Sequence, residues 1–157
     1  MLRNKKIVVV SHCVLNQNAV VLPLARAEGP MQCASVLLES GCGIYQLPCP
    51  EKRMCGMGRV GMNAAQYGAI RGFHALCADM VEDVIWDLKD YREHGYTIVG
   101  LIAIAGSPTC SVSGTRGVLM QHLFRRLQEE GMEMPYVEIP EAGEDPAFLD
   151  AVRNMLE

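Results

Sequence analysis

Residues 96–105 read YTIVGLIAIA, and residues 6–11 read KIVVVS. Both runs are apolar without alternation, so neither has a solvent-facing side. Each predicts a strand buried on both faces, as in a parallel sheet covered by helices. Between and around these strands, residues 30–40 predict a helix, with Pro30 at its first position and Gly41 just past its end. Residues 43–47 predict a second strand, stopped by Pro48. The longest helix is expected over residues 73–94, where Phe73, Leu76, Met80, Val84, Leu88 and Tyr91 recur every three or four residues and Gly95 closes the run. Residues 116–130 predict a helix ended by Gly131, residues 134–139 a fourth strand, and residues 146–156 a last helix.

This alternation predicts an α/β fold: a doubly wound four-stranded parallel sheet of order 2-1-3-4 with helices on both faces, in one domain spanning residues 1–157. In such sheets ligands bind beyond the carboxyl ends of the strands, where the winding reverses. Here that point lies between the first and third strands.

Composition narrows the function. Half of the 157 residues are apolar and 20% are charged, which excludes a disordered or fibrous chain. A chain of this length buries roughly 70% of its unfolded surface and needs no covalent staples. Its seven cysteines therefore need another reason. The start, MLRNKKIVVV, lacks the longer apolar core of a secretory signal. No run reaches the roughly 18 apolar residues of a membrane span. A cytoplasmic protein without a membrane partner is expected, and there cysteines serve as core residues, metal ligands or catalytic groups rather than disulfides. Net charge is −4, with nine acids and one base in residues 129–157. No lysine- or arginine-rich run exists, so nucleic acid is not an expected partner. Scattered apolar surface among ten methionines is compatible with a homodimer.

The expected topology sorts the cysteines. Cys13, Cys49 and Cys110 each follow a strand and converge on one sheet edge. Cys33 and Cys77 fall within helices and Cys42 lies at the opposite edge; all three read as small buried hydrophobes. Cys55 is ambiguous. On topology alone, a shared metal site of soft thiolates and three unrelated loop cysteines both remain open.

The loop sequences add Ser11-His12-Cys13-Val14-Leu15-Asn16, Pro48-Cys49-Pro50-Glu51 and Ser107-Pro108-Thr109-Cys110. In order of motifs over nearly the whole chain, these resemble the bacterial 2-thiouracil desulfidase (TudS-type) family and its related branch of desulfidases. The Asn16-Gln17-Asn18 stretch looks like that related branch. The resemblance implies a 4Fe–4S cluster held by Cys13, Cys49 and Cys110, with one iron left open. It implies a catalytic neighbourhood of Glu51 and Ser107, and a reaction that removes sulfur from a thiolated heterocycle or other thiocarbonyl small molecule.

In such a reaction water must attack carbon, and Glu51 is the expected base, or else it only caps a turn after Pro50. Ser107 is expected to orient the water or the substrate, or else to make only a local backbone hydrogen bond. His12, Asn16, Asn18 and Arg59 are the expected substrate-side residues, with His12 also placed to donate to cluster sulfur. Lys52, Arg53, Arg71 and Arg116 join Arg59 as positive charge able to offset the cluster.

Two rival readings remain. If Cys55 ligates the fourth iron, the chain is a non-catalytic iron–sulfur module for electron transfer. The same thiolates could instead hold zinc. Gly56-Met57-Gly58-Arg59-Val60-Gly61 fits a dinucleotide-binding pattern, but it follows the second strand rather than joining the first strand to a helix, so it reads as a flexible glycine loop. Residues 48–72 form an unusually long connection, of the kind that serves as a lid, with a helical stretch expected over residues 63–68.

Overall fold

The computed structural model describes residues 2–157. Its four strands, β1 (Lys6–Val10), β2 (Gly43–Gln46), β3 (Thr97–Ile104) and β4 (Tyr136–Ile139), form one all-parallel sheet in the order β2-β1-β3-β4. The two unbroken apolar runs occupy the middle of the sheet. Val8, Val9 and Val10 of β1 and Leu101, Ile102 and Ala103 of β3 are fully buried, as strands covered on both faces require. The edge strands are only partly buried. The register between β1 and β3 slips after Ile7, which pairs with Ile98 while Val8 pairs with Gly100.

Helices α2 (Cys33–Ser40) and α7 (Pro146–Leu156) pack together on one face, and α5 (Phe73–Glu93) and α6 (Val118–Glu129) pack together on the other. Their apolar stripes drive this packing: α5 buries Phe73, Cys77, Met80, Val81, Val84, Ile85 and Leu88.

Two helix starts differ from the sequence reading. α2 begins at Cys33, not Pro30, because the preceding residues have other partners. Met31 N–H donates to the Val14 carbonyl at 2.8 Å. The Glu144 carboxylate then accepts from the backbone N–H groups of Gln32 and Cys33, both at 2.6 Å, and so caps the helix from across the fold. α6 begins at Val118, not Arg116. Arg116 closes a turn on the Val112 carbonyl and stacks over the Phe124 ring at 4.9 Å.

The long connection after β2 is partly helical, as expected over residues 63–68. It contains α3 (Pro50–Cys55) and α4 (Ala64–Gly68). α4 is started by a full capping box between Asn63 and Gln66. After β1 comes a four-residue helix, α1 (His12–Leu15), and a 3-10 turn over Gln17–Ala19. No helix among the described residues is long and apolar enough to cross a membrane.

Candidate functional site

At the carboxyl ends of β1, β2 and β3 the chain leaves a cavity of about 130 Å3. Cys13, Cys49 and Cys110 all line it. Each comes from the segment that follows one strand, and each is held differently. Cys13 sits in α1, and Gln17 staples that turn: its Nε2 donates to the Cys13 carbonyl at 2.9 Å, and its Oε1 accepts from Arg26 N–H at 2.7 Å. Cys49 is the N-cap of α3, with Sγ accepting from Lys52 N–H at 3.4 Å.

Cys110 lies in a tight loop whose centre is the Ser107 hydroxyl, which accepts from the N–H groups of Thr109 (3.3 Å) and Cys110 (3.0 Å). That loop also serves α6: the carbonyls of Pro108 and Thr109 accept from Val118 and Met120 N–H. Gly117 is required here, because a Cβ at this position would fall onto the Thr109 carbonyl.

All seven cysteines are free thiols. Burial and the charge of Cys49 push the Cys13 thiol up to about 11, while Arg26 pulls it back in part. Burial also raises Cys49 and Cys110, and Cys110 is raised further by Cys13 and Cys49. The three groups thus feel one another's charge across the cavity.

Among the described residues, no three His, Cys, Asp or Glu side chains stand close enough to share one metal ion. A tetrahedral zinc with bonds of about 2.3 Å draws its sulfurs to within about 4 Å of each other. A cluster gives each cysteine its own iron and so tolerates a wider triangle.

Glu51, 8% exposed, is the buried acid of the cavity. Thr109 Oγ1 donates to its Oε2 at 2.6 Å and Arg59 Nε donates to its Oε1 at 3.3 Å. Both carboxylate oxygens therefore act as acceptors. Arg59 is as buried as its partner, and its two other nitrogens donate to the carbonyls of Ala19 and Gly56. The glycine-rich stretch that fits a dinucleotide pattern is thus a loop pinned by its own arginine.

His12 also lines the cavity. Its Nδ1 meets the Leu47 carbonyl at 3.2 Å. A carbonyl only accepts, so Nδ1 is the donor in this contact.

Some expected residues are not brought in. Asn16 and Asn18 do not line the cavity: Asn16 Oδ1 accepts from Asn18 N–H, which caps the 3-10 turn and leaves Asn18 exposed. Gln17, between them, is the one that faces inward. Lys52, Arg53, Arg71 and Arg116 are exposed and outside the lining. Cys55 lies at the far end of α3 from Cys49, six residues and about 9 Å along the helix, and does not line the cavity.

The second cation of the cavity, Arg26, carries no motif that singles it out in the sequence; it donates to the Ala105 carbonyl at 2.9 Å and the Ile139 carbonyl at 3.4 Å. Tyr67 is likewise absent from the sequence expectations, although the Asn-Ala-Ala-Gln capping box ahead of it is a readable helix signal. Thr109 is the variable position of Ser-Pro-Xaa-Cys.

The uncharacterized protein MJ0003 of Methanocaldococcus jannaschii is 35% identical to this chain over 157 residues, 99% of each protein. The chain belongs to the MJ0003 family. MJ0003 is described without an activity, so membership brings no reaction with it. No family model and no solved structure matches the chain.

Proposed function

We propose that this MJ0003-family protein is an iron–sulfur-dependent desulfidase. It would hold a 4Fe–4S cluster on Cys13, Cys49 and Cys110 and remove sulfur from a thiocarbonyl small molecule, with release of sulfide. The observation that carries this reading is the meeting of three strand-end cysteines and one buried, oriented carboxylate in a single cavity. The motif resemblance to the TudS-type family points the same way. An electron-transfer module with a closed cluster needs a fourth ligand, and α3 carries Cys55 away from the cavity. A cytoplasmic setting, where thiols stay reduced, suits seven free cysteines.

When bound, the cluster supplies an open iron, a Lewis acid with affinity for sulfur. The chain supplies the rest. In balance, a thiocarbonyl compound and water give the corresponding carbonyl compound and hydrogen sulfide, so both water protons end on sulfur. Glu51 takes a proton from water as the water oxygen bonds to carbon, and that proton leaves on sulfur. Arg59 and Thr109 hold the carboxylate in one orientation, so no ordering cost falls on the chemical step. His12 lines the same cavity, with Nδ1 held by the Leu47 carbonyl. Ser107 fixes the Cys110 loop and acts by positioning.

The test is anaerobic assay of the reconstituted protein for sulfide release from thiolated heterocycles, with Glu51→Gln beside the wild type. Turnover is expected to fall about 100-fold or more in the variant at unchanged iron content. Equal turnover would remove Glu51 from the reaction, and an iron-loaded wild type that releases no sulfide would overturn the desulfidase reading.

A further inference from the structure

Two observations in the cavity are left unused by the reaction above. The first is Tyr67. It is fully buried, lines the cavity, and packs on Phe73 with ring centroids 5.2 Å apart. Its hydroxyl has no hydrogen-bond partner among the described residues. Glu51 and Arg59 are near enough to act on the phenol as hydrogen-bonding neighbours, but neither meets its hydroxyl in hydrogen-bond geometry. Burial and the charge of Glu51 push the phenol up, so it stays protonated and remains a donor. Leaving such a group unpaired is unfavourable unless a ligand completes it.

The second is the apolar part of the lining, which includes Val20, Val21, Leu24 and Met62. Leu24 lines the cavity and is nevertheless 61% exposed, and its neighbours at the rim, Leu22 and Val60, are 82% and 71% exposed. The two rim loops touch, since a Cβ on Gly61 would lie 3.8 Å from Leu24 Cδ1 and 4.0 Å from Val21 Cγ1. At Leu24, apolar surface therefore reaches from the cavity lining to solvent.

We propose that the substrate is a small amphiphile: it carries a hydrogen-bond acceptor that Tyr67 grips, and an apolar substituent that lies along Val21 and Leu24 out to the mouth. This rests on reading the cavity as a substrate site. It narrows the substrate from any thiocarbonyl compound to one with an acceptor on one side and a hydrocarbon group on the other. The continuity of the apolar wall with the cavity favours this occupant over a second protein at the rim.

The experiment is calorimetric titration of the cluster-loaded protein with δ-lactams bearing ring substituents from methyl to butyl. These are oxygen analogues that bind without releasing sulfide. Affinity is expected to rise by up to about fourfold per added methylene. Leu24→Ser should flatten that series. Tyr67→Phe should weaken every member by about threefold to tenfold. The urea midpoint of Tyr67→Phe should match or exceed that of the wild type, because a hydroxyl kept for a ligand contributes nothing to the fold. A lower midpoint with unchanged lactam affinity would make Tyr67 structural and overturn the proposal. So would affinity independent of chain length, or no lactam binding at all. Chain-length independence together with a dimer that Leu24→Ser dissolves would assign the mouth to a second copy. Since the lactams test binding alone, a protein that releases no sulfide but shows the series refutes the desulfidase reading and leaves this inference standing.

Discussion

Arg59 engages all three of its guanidinium nitrogens, one on Glu51 and two on backbone carbonyls from different loops. Removing one member of so buried a pair strands the other charge, which costs about 3–5 kcal/mol. Arg59→Met is therefore expected to lose that much in urea denaturation, and Lys at this position should recover little because it lacks the planar fork. An Arg59→Met loss below about 1 kcal/mol would mean that the pair is solvated. Cys33 gives a second expectation at this scale. Burial and the nearby Glu144 carboxylate push its thiol up to about 12. The folded value stands above the unfolded value of about 8.5, so its contribution is complete below that pH and is lost as pH rises toward 12. The metal-free protein should lose stability across that window, and Cys33→Ala should lose less. An identical slope in the variant would place the dependence in other groups. Gln17, Arg26 and Tyr67 are not legible in the sequence as site residues: Arg26 is held by carbonyls 79 and 113 residues away, and no motif marks Gln17 or Tyr67 as facing the cavity.

At the scale of elements, the loop holding Cys110 and the start of α6 are one unit, joined by Pro108 and Thr109 carbonyls accepting from the helix and by the close approach of Gly117. Gly117→Ala has no backbone penalty at its φ of −63°, so its effect is steric. It should destabilise the protein by about 1–3 kcal/mol and reduce cluster loading, read by urea denaturation and by iron analysis. Normal loading would show that the loop can move aside. The long elements are readable: α5, α7 and the central strands lie within a residue or so of their expected bounds, because periodicity and end signals accumulate over many residues. α1 and α3 are not, since four to six residues show no period. The start of α2 differs from its expected place because its cap is Glu144, 111 residues from Cys33.

At the scale of the molecule, the alternation of four strands with helices around two unbroken apolar runs is enough to predict the parallel sheet and its order. That order puts Cys13, Cys49 and Cys110 at one edge without any knowledge of contacts. The structure places all three on one cavity and leaves Cys55 outside it. What spacing does not convey is that α4 carries Tyr67 into the cavity, or that Thr109 donates to Glu51. The most direct measurement is the iron and acid-labile sulfide content after anaerobic reconstitution of the wild type and the single Cys→Ser variants. The account predicts about four irons per chain in the wild type and in Cys55→Ser, and a severe loss in Cys13→Ser, Cys49→Ser and Cys110→Ser. An iron-free wild type, or a Cys55→Ser protein that loses its iron as the other three do, would contradict it.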